Sequence, residues 1–145
     1  MSKVMLKADT HPNLRDRCGA SPLHIAASTG PPEIIADLLE AGADLEALTV
    51  RGHSPLRMAV LKNRVHVSSL LLNARASTEH RGAIHGQTPL SWAFRGCLAL
   101  IVRVLVEAGA GVESRSSAEL TPLRWACRFI DAGNFDVLLN AGADP

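Results

Sequence analysis

The sequence predicts an all-α solenoid of stacked helix-turn-helix units, and three observations carry that prediction. The tetrapeptide Ser21-Pro22-Leu23-His24 returns as Ser54-Pro55-Leu56-Arg57, Thr88-Pro89-Leu90-Ser91 and Thr121-Pro122-Leu123-Arg124, its prolines 33, 34 and 33 residues apart. A second marker, Gly42-Ala43-Asp44, Arg75-Ala76-Ser77, Gly109-Ala110-Gly111 and Gly142-Ala143-Asp144, begins 20 residues after each proline. Apolar residues between the two markers recur in the same phase. A fixed period of this length marks a chain built from stacked copies of one supersecondary unit.

Each unit opens with Ser or Thr before Pro, a helix start in which the hydroxyl can accept an orphan backbone N–H and the imino acid loses nothing. A short first helix follows, on Leu23, Ile25, Ala26 and Ala27. Its counterparts are Leu56, Met58, Ala59 and Val60; Leu90, Trp92, Ala93 and Phe94; Leu123, Trp125, Ala126 and Cys127. Leu and Ala never change at two of these positions, as close packing between neighbouring helices requires. The second helix carries Ile34, Ile35, Leu38 and Leu39, then Val67, Leu71 and Leu72, then Ile101, Val102, Leu105 and Val106, then Phe135, Leu138 and Leu139. These form one wide apolar stripe.

Gly at the end of the second helix supplies a left-handed residue that stops it. Arg75 stands there in the second unit, which predicts a strained or differently closed end. The stretches Glu46 to His53, Glu79 to Gln87 and Glu113 to Leu120 are polar and turn-rich, and the middle one takes the extra residue of the array. Gly133 and Asn134 replace Glu33 and Ile34, so the last helix is expected to start late or fray.

The [ST]-P-L-x-x-A opening, the apolar second helix and the closing G-A-D resemble the ankyrin repeat over nearly the whole chain. The first unit matches best, as Ser21-Pro22-Leu23-His24-Ile25-Ala26-Ala27 and Leu38-Leu39-Glu40-Ala41-Gly42-Ala43-Asp44. The resemblance implies an ankyrin-repeat solenoid whose helix pairs are joined by β-hairpin-like loops. It divides a single array spanning 1–145 into a degenerate partial repeat at 1–15 and repeats at 16–48, 49–82, 83–115 and 116–145, the last truncated. With no polar unit after Asp144, the expectation is a piece of a longer protein, with a natural short array as the alternative.

Composition excludes several classes. Hydrophobic residues make up 47% of the chain, yet no apolar stretch approaches the ~18 residues of a membrane span. No signal-type apolar core opens the sequence, and its three cysteines are scattered one per distant unit, which argues against a disulfide framework. An intracellular protein, cytoplasmic or nuclear, is expected. A net charge of +1 and 3% aromatics give no reason to expect nucleic acid or an anionic membrane.

Chemistry finds no constellation either. Cys18, Cys97 and Cys127 lack the short-range partners of a zinc site, and Cys127 falls at the small core position of Ala27, Val60 and Phe94. His80 and His85 lie in a Gly-containing hairpin with no companion Cys. Ser21, Thr88 and Thr121 recur in register as helix caps, and no third group orients His24 beside Ser21. Phosphate-binding glycine loops are missing. No enzyme activity, catalytic residue, metal, cofactor or small-molecule substrate is expected. Trp92 and Trp125 read as inter-repeat packing, and the family gives His24 structural hydrogen bonds around the repeat opening.

What remains is the concave face that ankyrin arrays use to bind proteins. Carried over residue by residue, the resemblance implies Arg17 on the first turn, and Val50, Arg51, His53 and Lys62 in the second repeat. It adds Ile84, His85, Gln87 and Arg95 in the third, and Leu120, Arg128 and Phe129 in the fourth. Arg51, Lys62, Arg95 and Arg128 would run along the groove among apolar anchors, which suits a protein or peptide with acidic and hydrophobic residues. The plainer reading is a solvated face whose Arg residues pair with Glu46, Glu79, Glu113 and Glu119, contributing about 0–1 kcal/mol each. Two other functions stay open: a substrate-receptor or targeting arm of a larger regulatory protein, such as a ubiquitin-ligase adaptor or kinase, and a structural spacer.

Overall fold

The computed structural model describes residues 11–83, 85–129 and 132–144, with only the backbone at 129 and 132. Most of the expected partial repeat at 1–15 thus lies outside the described residues. Among those described there are eight helices and no strand. They come in pairs: α1 Pro22–Thr29 with α2 Pro32–Glu40, α3 Pro55–Leu61 with α4 Val65–Asn73, α5 Pro89–Arg95 with α6 Ala99–Glu107, and α7 Pro122–Phe129 with α8 Ala132–Asn140. First helices pack in the order α1, α3, α5, α7, and second helices in the order α2, α4, α6, α8. The result is a two-layered, all-helical solenoid.

The proline sits at the first turn of α1, α3 and α5, preceded by an extended Ser or Thr. Ser54 Oγ accepts from the Arg57 N–H at 3.3 Å, and Thr88 Oγ1 from the Ser91 N–H at 3.3 Å. The core lies between the layers. The repeated Leu23, Leu56, Leu90 and Leu123 are buried, with Ala26, Ala59, Ala93 and Ala126 beside them and Ile35, Val67, Ile101 and the Leu38, Leu71, Leu105 and Leu138 row beneath. No helix pair could cover such a stripe alone, so the core exists only where neighbours stack.

Hairpin-like loops join the pairs without forming a strand. Each is closed at its base by a backbone bond, Asp16 N–H to the Ala20 carbonyl, Thr49 to His53, Gly82 to Gln87 and Ser116 to Leu120, and in three of them Gly19, Gly52 and Glu119 donate back to Asp16, Thr49 and Ser116. Each also reaches its neighbour, with Val50 donating to Cys18, Ala83 to Arg51 and Ser117 to His85 at 3.0–3.2 Å. The loop closed by Gly82 and Gln87 holds the extra residue. Length is inexpensive there because the loop projects from the stack.

The ends of the second helices answer the Arg75 question. Gly42, Gly109 and Gly142 have φ of 84°, 86° and 88°, and Arg75 adopts 71°. The Arg75 N–H bonds to Leu72 and the Ala76 N–H to Leu71, as Gly42 bonds to Leu39 and Ala43 to Leu38. The end is therefore not differently closed: it is the same closure with a side chain in left-handed backbone, which costs about 1–2 kcal/mol.

Two expectations fail at the last pair. α8 begins ten residues after Pro122, the phase at which α2, α4 and α6 follow their prolines, so it does not start late. Asn134 is buried at the position of Ile34, Val67 and Ile101, so this amide is accommodated inside the stack. Cys127 is exposed where Ala27, Val60 and Phe94 are buried, because α7 has no described helix on its outer side. In α8, which packs on α6 and α7, Leu138 is 0% exposed and Leu139 is 40% exposed.

Two outcomes follow from this packing. Arg75→Gly removes the left-handed strain but frees the unfolded chain, for a net gain of about 0.5–1 kcal/mol in urea denaturation. Among the described residues the pairs α1–α2 and α7–α8 each pack on a single neighbouring pair. The pair α7–α8 also buries the amide of Asn134 where α4 and α6 bury Val67 and Ile101, so its amides should exchange hydrogen before those of the other three pairs; equal protection across all four would contradict this.

Candidate functional site

Polar groups at the openings of the units set the geometry of the turn-and-first-helix face. The His24 ring is buried, with Nε2 2.8 Å from the His53 carbonyl and Nδ1 3.1 Å from the Ser21 amide nitrogen. A carbonyl can only accept, so Nε2 carries the proton and Nδ1 accepts from the Ser21 N–H and from its hydroxyl at 2.9 Å. One imidazole thus closes its own helix start and grips the next unit, as the family resemblance implied.

Arg57 takes over that position one unit later. Its guanidinium is 1% exposed, and Nη1 donates to the Gln87 carbonyl at 2.6 Å. Burial pulls its pKa down to about 10, so it stays charged at neutral pH. Its Cζ lies 5.0 Å from the centroid of the Trp92 ring, and that of Arg95 lies 5.1 Å from the same centroid. Such contacts contribute about 0.5–2 kcal/mol, more when desolvated. Gly82 leaves the space: a Cβ there would stand 2.6 Å from the Arg57 guanidinium carbon. At the third unit Ser91 turns back instead, its hydroxyl 3.2 Å from Thr88 Oγ1.

A second ladder escaped the sequence reading. Asn13 Oδ1 accepts the Asp44 N–H at 2.7 Å, Glu46 the Ser77 N–H at 2.7 Å, Glu79 the Gly111 N–H at 2.9 Å and Glu113 the Asp144 N–H at 2.7 Å. Burial opposes ionisation of Glu79, but the Gly111 amide, the Ser114 and Thr78 hydroxyls and the nearby Arg81 outweigh it, so its carboxyl sits below the usual range. The signal was available, because Glu46, Glu79 and Glu113 recur at the repeat phase. These carboxylates hold backbone amides, and Glu46 also meets His80 Nδ1 at 2.8 Å. Only Glu119 pairs with an Arg, Arg115 at 3.2 Å, among the described residues.

The candidate face residues fall into separate groups. Arg17 is exposed on the first turn, and on the second Val50 (74% exposed) stands beside exposed Arg51. His53 is half-buried, Lys62 is exposed after α3, and Gln87 is 2% exposed. Ile84 lies outside the described residues, as does the side chain of Phe129. Arg51, Lys62, Arg95 and Arg128 have no acidic partner among the described residues, contrary to the local pairing that the plainer reading expects. His85, Gln87, Arg95, Leu120 and Arg128 come together with Trp125 around a cavity of about 410 Å³ between the third and fourth units. Arg95 also borders a neighbouring cavity of about 350 Å³, lined by Val60, Leu61, Trp92 and Leu98. The sequence placed these residues on one face but could not show that Trp92 holds Arg95 between the two depressions. Among the described residues no group of His, Cys, Asp and Glu is arranged to hold a metal ion.

Helix pairs stacked at a fixed period and tied by loop-to-loop bonds define a repeat solenoid. A family model described as ankyrin repeats (many copies) matches residues 5–59. The chain is 30% identical over 132 residues, 91% of its length, to neurogenic locus notch homolog protein 1 of Xenopus tropicalis, covering 5% of that protein. It is 36% identical over 111 residues, 76% of its length, to the B-cell lymphoma 3 protein homolog of Mus musculus, covering 25% of it. Over 121 residues, 81% of its length, it is 36% identical to tyrosine-protein kinase HTK16 of Hydra vulgaris, covering 16% of it. The chain thus spans a quarter or less of each of these relatives, and it belongs to the ankyrin-repeat proteins.

The His24 geometry has a pH signature. Burial holds the His24 pKa below its ordinary 6.5, against the His53 carbonyl bond that favours the charged ring; burial and then Arg57 and Arg51 lower that of His53. The unfolded chain therefore binds more protons than the folded one as pH falls below 6.5. The denaturation midpoint should change little above that value and fall below it, and the lowered Glu79 carboxyl extends the fall into the carboxylate range. His24→Gln, which offers one donor and one acceptor, should reduce the slope; an unchanged slope would place the titration elsewhere.

Proposed function

We propose that this chain is a non-enzymatic recognition module that binds a partner protein or peptide through the face built from its turn tips and first helices. Ankyrin repeats are non-catalytic protein-interaction modules, and no helix among the described residues is long and apolar enough to cross a membrane. The observation that carries the reading is the cavity where Arg95 and Arg128 meet Leu120 and Trp125, with no carboxylate paired to either cation among the described residues. The face is held by loop-to-loop bonds before any partner arrives, so docking orders few side chains. In this reading the repeats divide at 16, 49, 83 and 116, the protein works in the cytoplasm or nucleus, and it needs no cofactor, metal, nucleic acid or membrane.

A second reading makes the array the targeting or substrate-receptor arm of a larger regulatory protein. It is favoured by the relatives, in which the matching region is a quarter or less of the whole and one of which is named a tyrosine-protein kinase. Mapping the full transcript in its source would test this: a reading frame extending into another domain supports it, and a frame matching this chain alone removes it.

Affinity capture from lysate with quantitative mass spectrometry tests the binding reading. The baits are the chain and a variant with Arg51, Lys62, Arg95 and Arg128 changed to Glu, both checked for helical circular dichroism. Proteins retained by the first and lost from the second are expected. Identical captures would move binding to another face, and empty captures from two folded baits would favour a spacer.

A further inference from the structure

We propose that the cavity between the third and fourth units is a specificity pocket for a carboxylate side chain, Asp or Glu, carried in an extended peptide next to an apolar residue. This rests on the binding-module reading and names the partner chemistry of that same face. His85, Arg95 and Arg128 line the pocket, and among the described residues no acidic one does. Glu119, which lies between the lining residues Ala118 and Leu120, is turned to Arg115 at 3.2 Å and does not line it. Arg95 and Arg128 are both exposed and form no ion pair among the described residues, so their charge is available to a ligand.

Arg95 is held in advance. Its guanidinium lies over the Trp92 ring, and Trp92 in turn lies against Arg57, whose charge is buried and bonded to the Gln87 carbonyl. Gln87 itself borders the pocket. A guanidinium supported on an aromatic ring keeps its N–H donors for a planar, bidentate acceptor, and a carboxylate matches that geometry. Trp92 is thus a positioning residue, and Arg95 and Arg128 are the contacting ones. Leu120 and Trp125 supply the apolar wall on which the neighbouring side chain of the peptide would lie. At about 410 Å³ the pocket holds an anchor side chain and its neighbour, within the ~300–1,000 Å³ span of small-ligand sites.

The test is selection of a displayed library of short random peptides on the full chain, and in parallel on folded Arg95→Glu and Arg128→Glu variants. Peptides enriched on the native chain should carry Asp or Glu within two positions of an apolar residue. Each charge reversal should weaken those peptides about ten- to hundredfold and shift enrichment towards Lys or Arg. Titrating a selected peptide should also change tryptophan emission, since Trp92 and Trp125 are the only two tryptophans and Trp125 lines the pocket. Trp92→Leu should weaken the same peptides while circular dichroism stays helical. Enriched peptides with no acidic preference, or acidic ones that leave the emission unchanged, would overturn the pocket while leaving the binding module intact. Stronger binding when Glu is replaced by phosphoserine would overturn the commitment to a carboxylate. No enrichment on the folded chain would overturn the proposal, and the lysate capture would then decide the module separately.

Discussion

The bond from the His24 imidazole to the His53 carbonyl, and its counterpart from Arg57 to the Gln87 carbonyl, fixes how far one helix pair is displaced from the next. Each acceptor is the carbonyl just before the Ser or Thr that opens the following unit. The donor therefore measures one repeat length, and the loop-to-loop amide bonds add a second measure at the turn tips. Just past the ends of the second helices the ladder of Asn13, Glu46, Glu79 and Glu113 measures it a third time, by accepting amide hydrogens from the unit beyond. Apolar packing supplies most of the driving force but little register, because Leu and Ala would tolerate a shifted neighbour. Polar bonds contribute less each, about 0.5–1.5 kcal/mol net, and they penalise the wrong register by leaving buried groups unpaired.

That division of labour explains what could be read from the residues alone. Helix positions and the buried Leu and Ala rows were legible because local capping and periodicity determine them. The left-handed end at Arg75 was legible only in part, since the strain follows from the residue type but the closure depends on Leu71 and Leu72 above it. Asn134 and Cys127 misled for a tertiary reason. Local propensity argued against α8 starting at its ordinary phase, yet packing on α6 and α7 supports it there. Cys127 has the residue type of a core position, but burial at that position comes from the following unit. The candidate face was legible as a list of positions. Its grouping was not, because cavity formation between units depends on which side chains lean together across some 30 residues of sequence, as Arg95 and Arg128 do.

Variation at one structural position then differentiates the junctions. His24 satisfies two neighbours as a neutral ring, Arg57 spans to the next unit as a buried cation, and Ser91 bonds back to its own cap. The scaffold accepts all three because each closes the same geometric gap with different chemistry. The surface above each junction inherits the difference. Over the first junction the buried ring is neutral, whereas over the second a fixed positive charge lies under Trp92 and draws the aromatic ring into place.

A buried cation without a carboxylate is an expensive way to fix register, since a carbonyl and an aromatic face offset only part of its desolvation. Arg57 Nε, Gln87 Oε1 and Trp92 Nε1 are all buried without a hydrogen-bond partner among the described residues, and they cluster at this one junction. Leu or Met at position 57 would fill similar space with no such cost, but it would neither bond to the Gln87 carbonyl nor attract the Trp92 ring. Trp92 would lose one of its two cationic neighbours, and Arg95 would lose the rigidity of its support. The stability surrendered inside the stack is therefore coupled to the placement of a charge outside it. Arg57 and Arg95 act through one indole, with the buried cation setting where the exposed one stands.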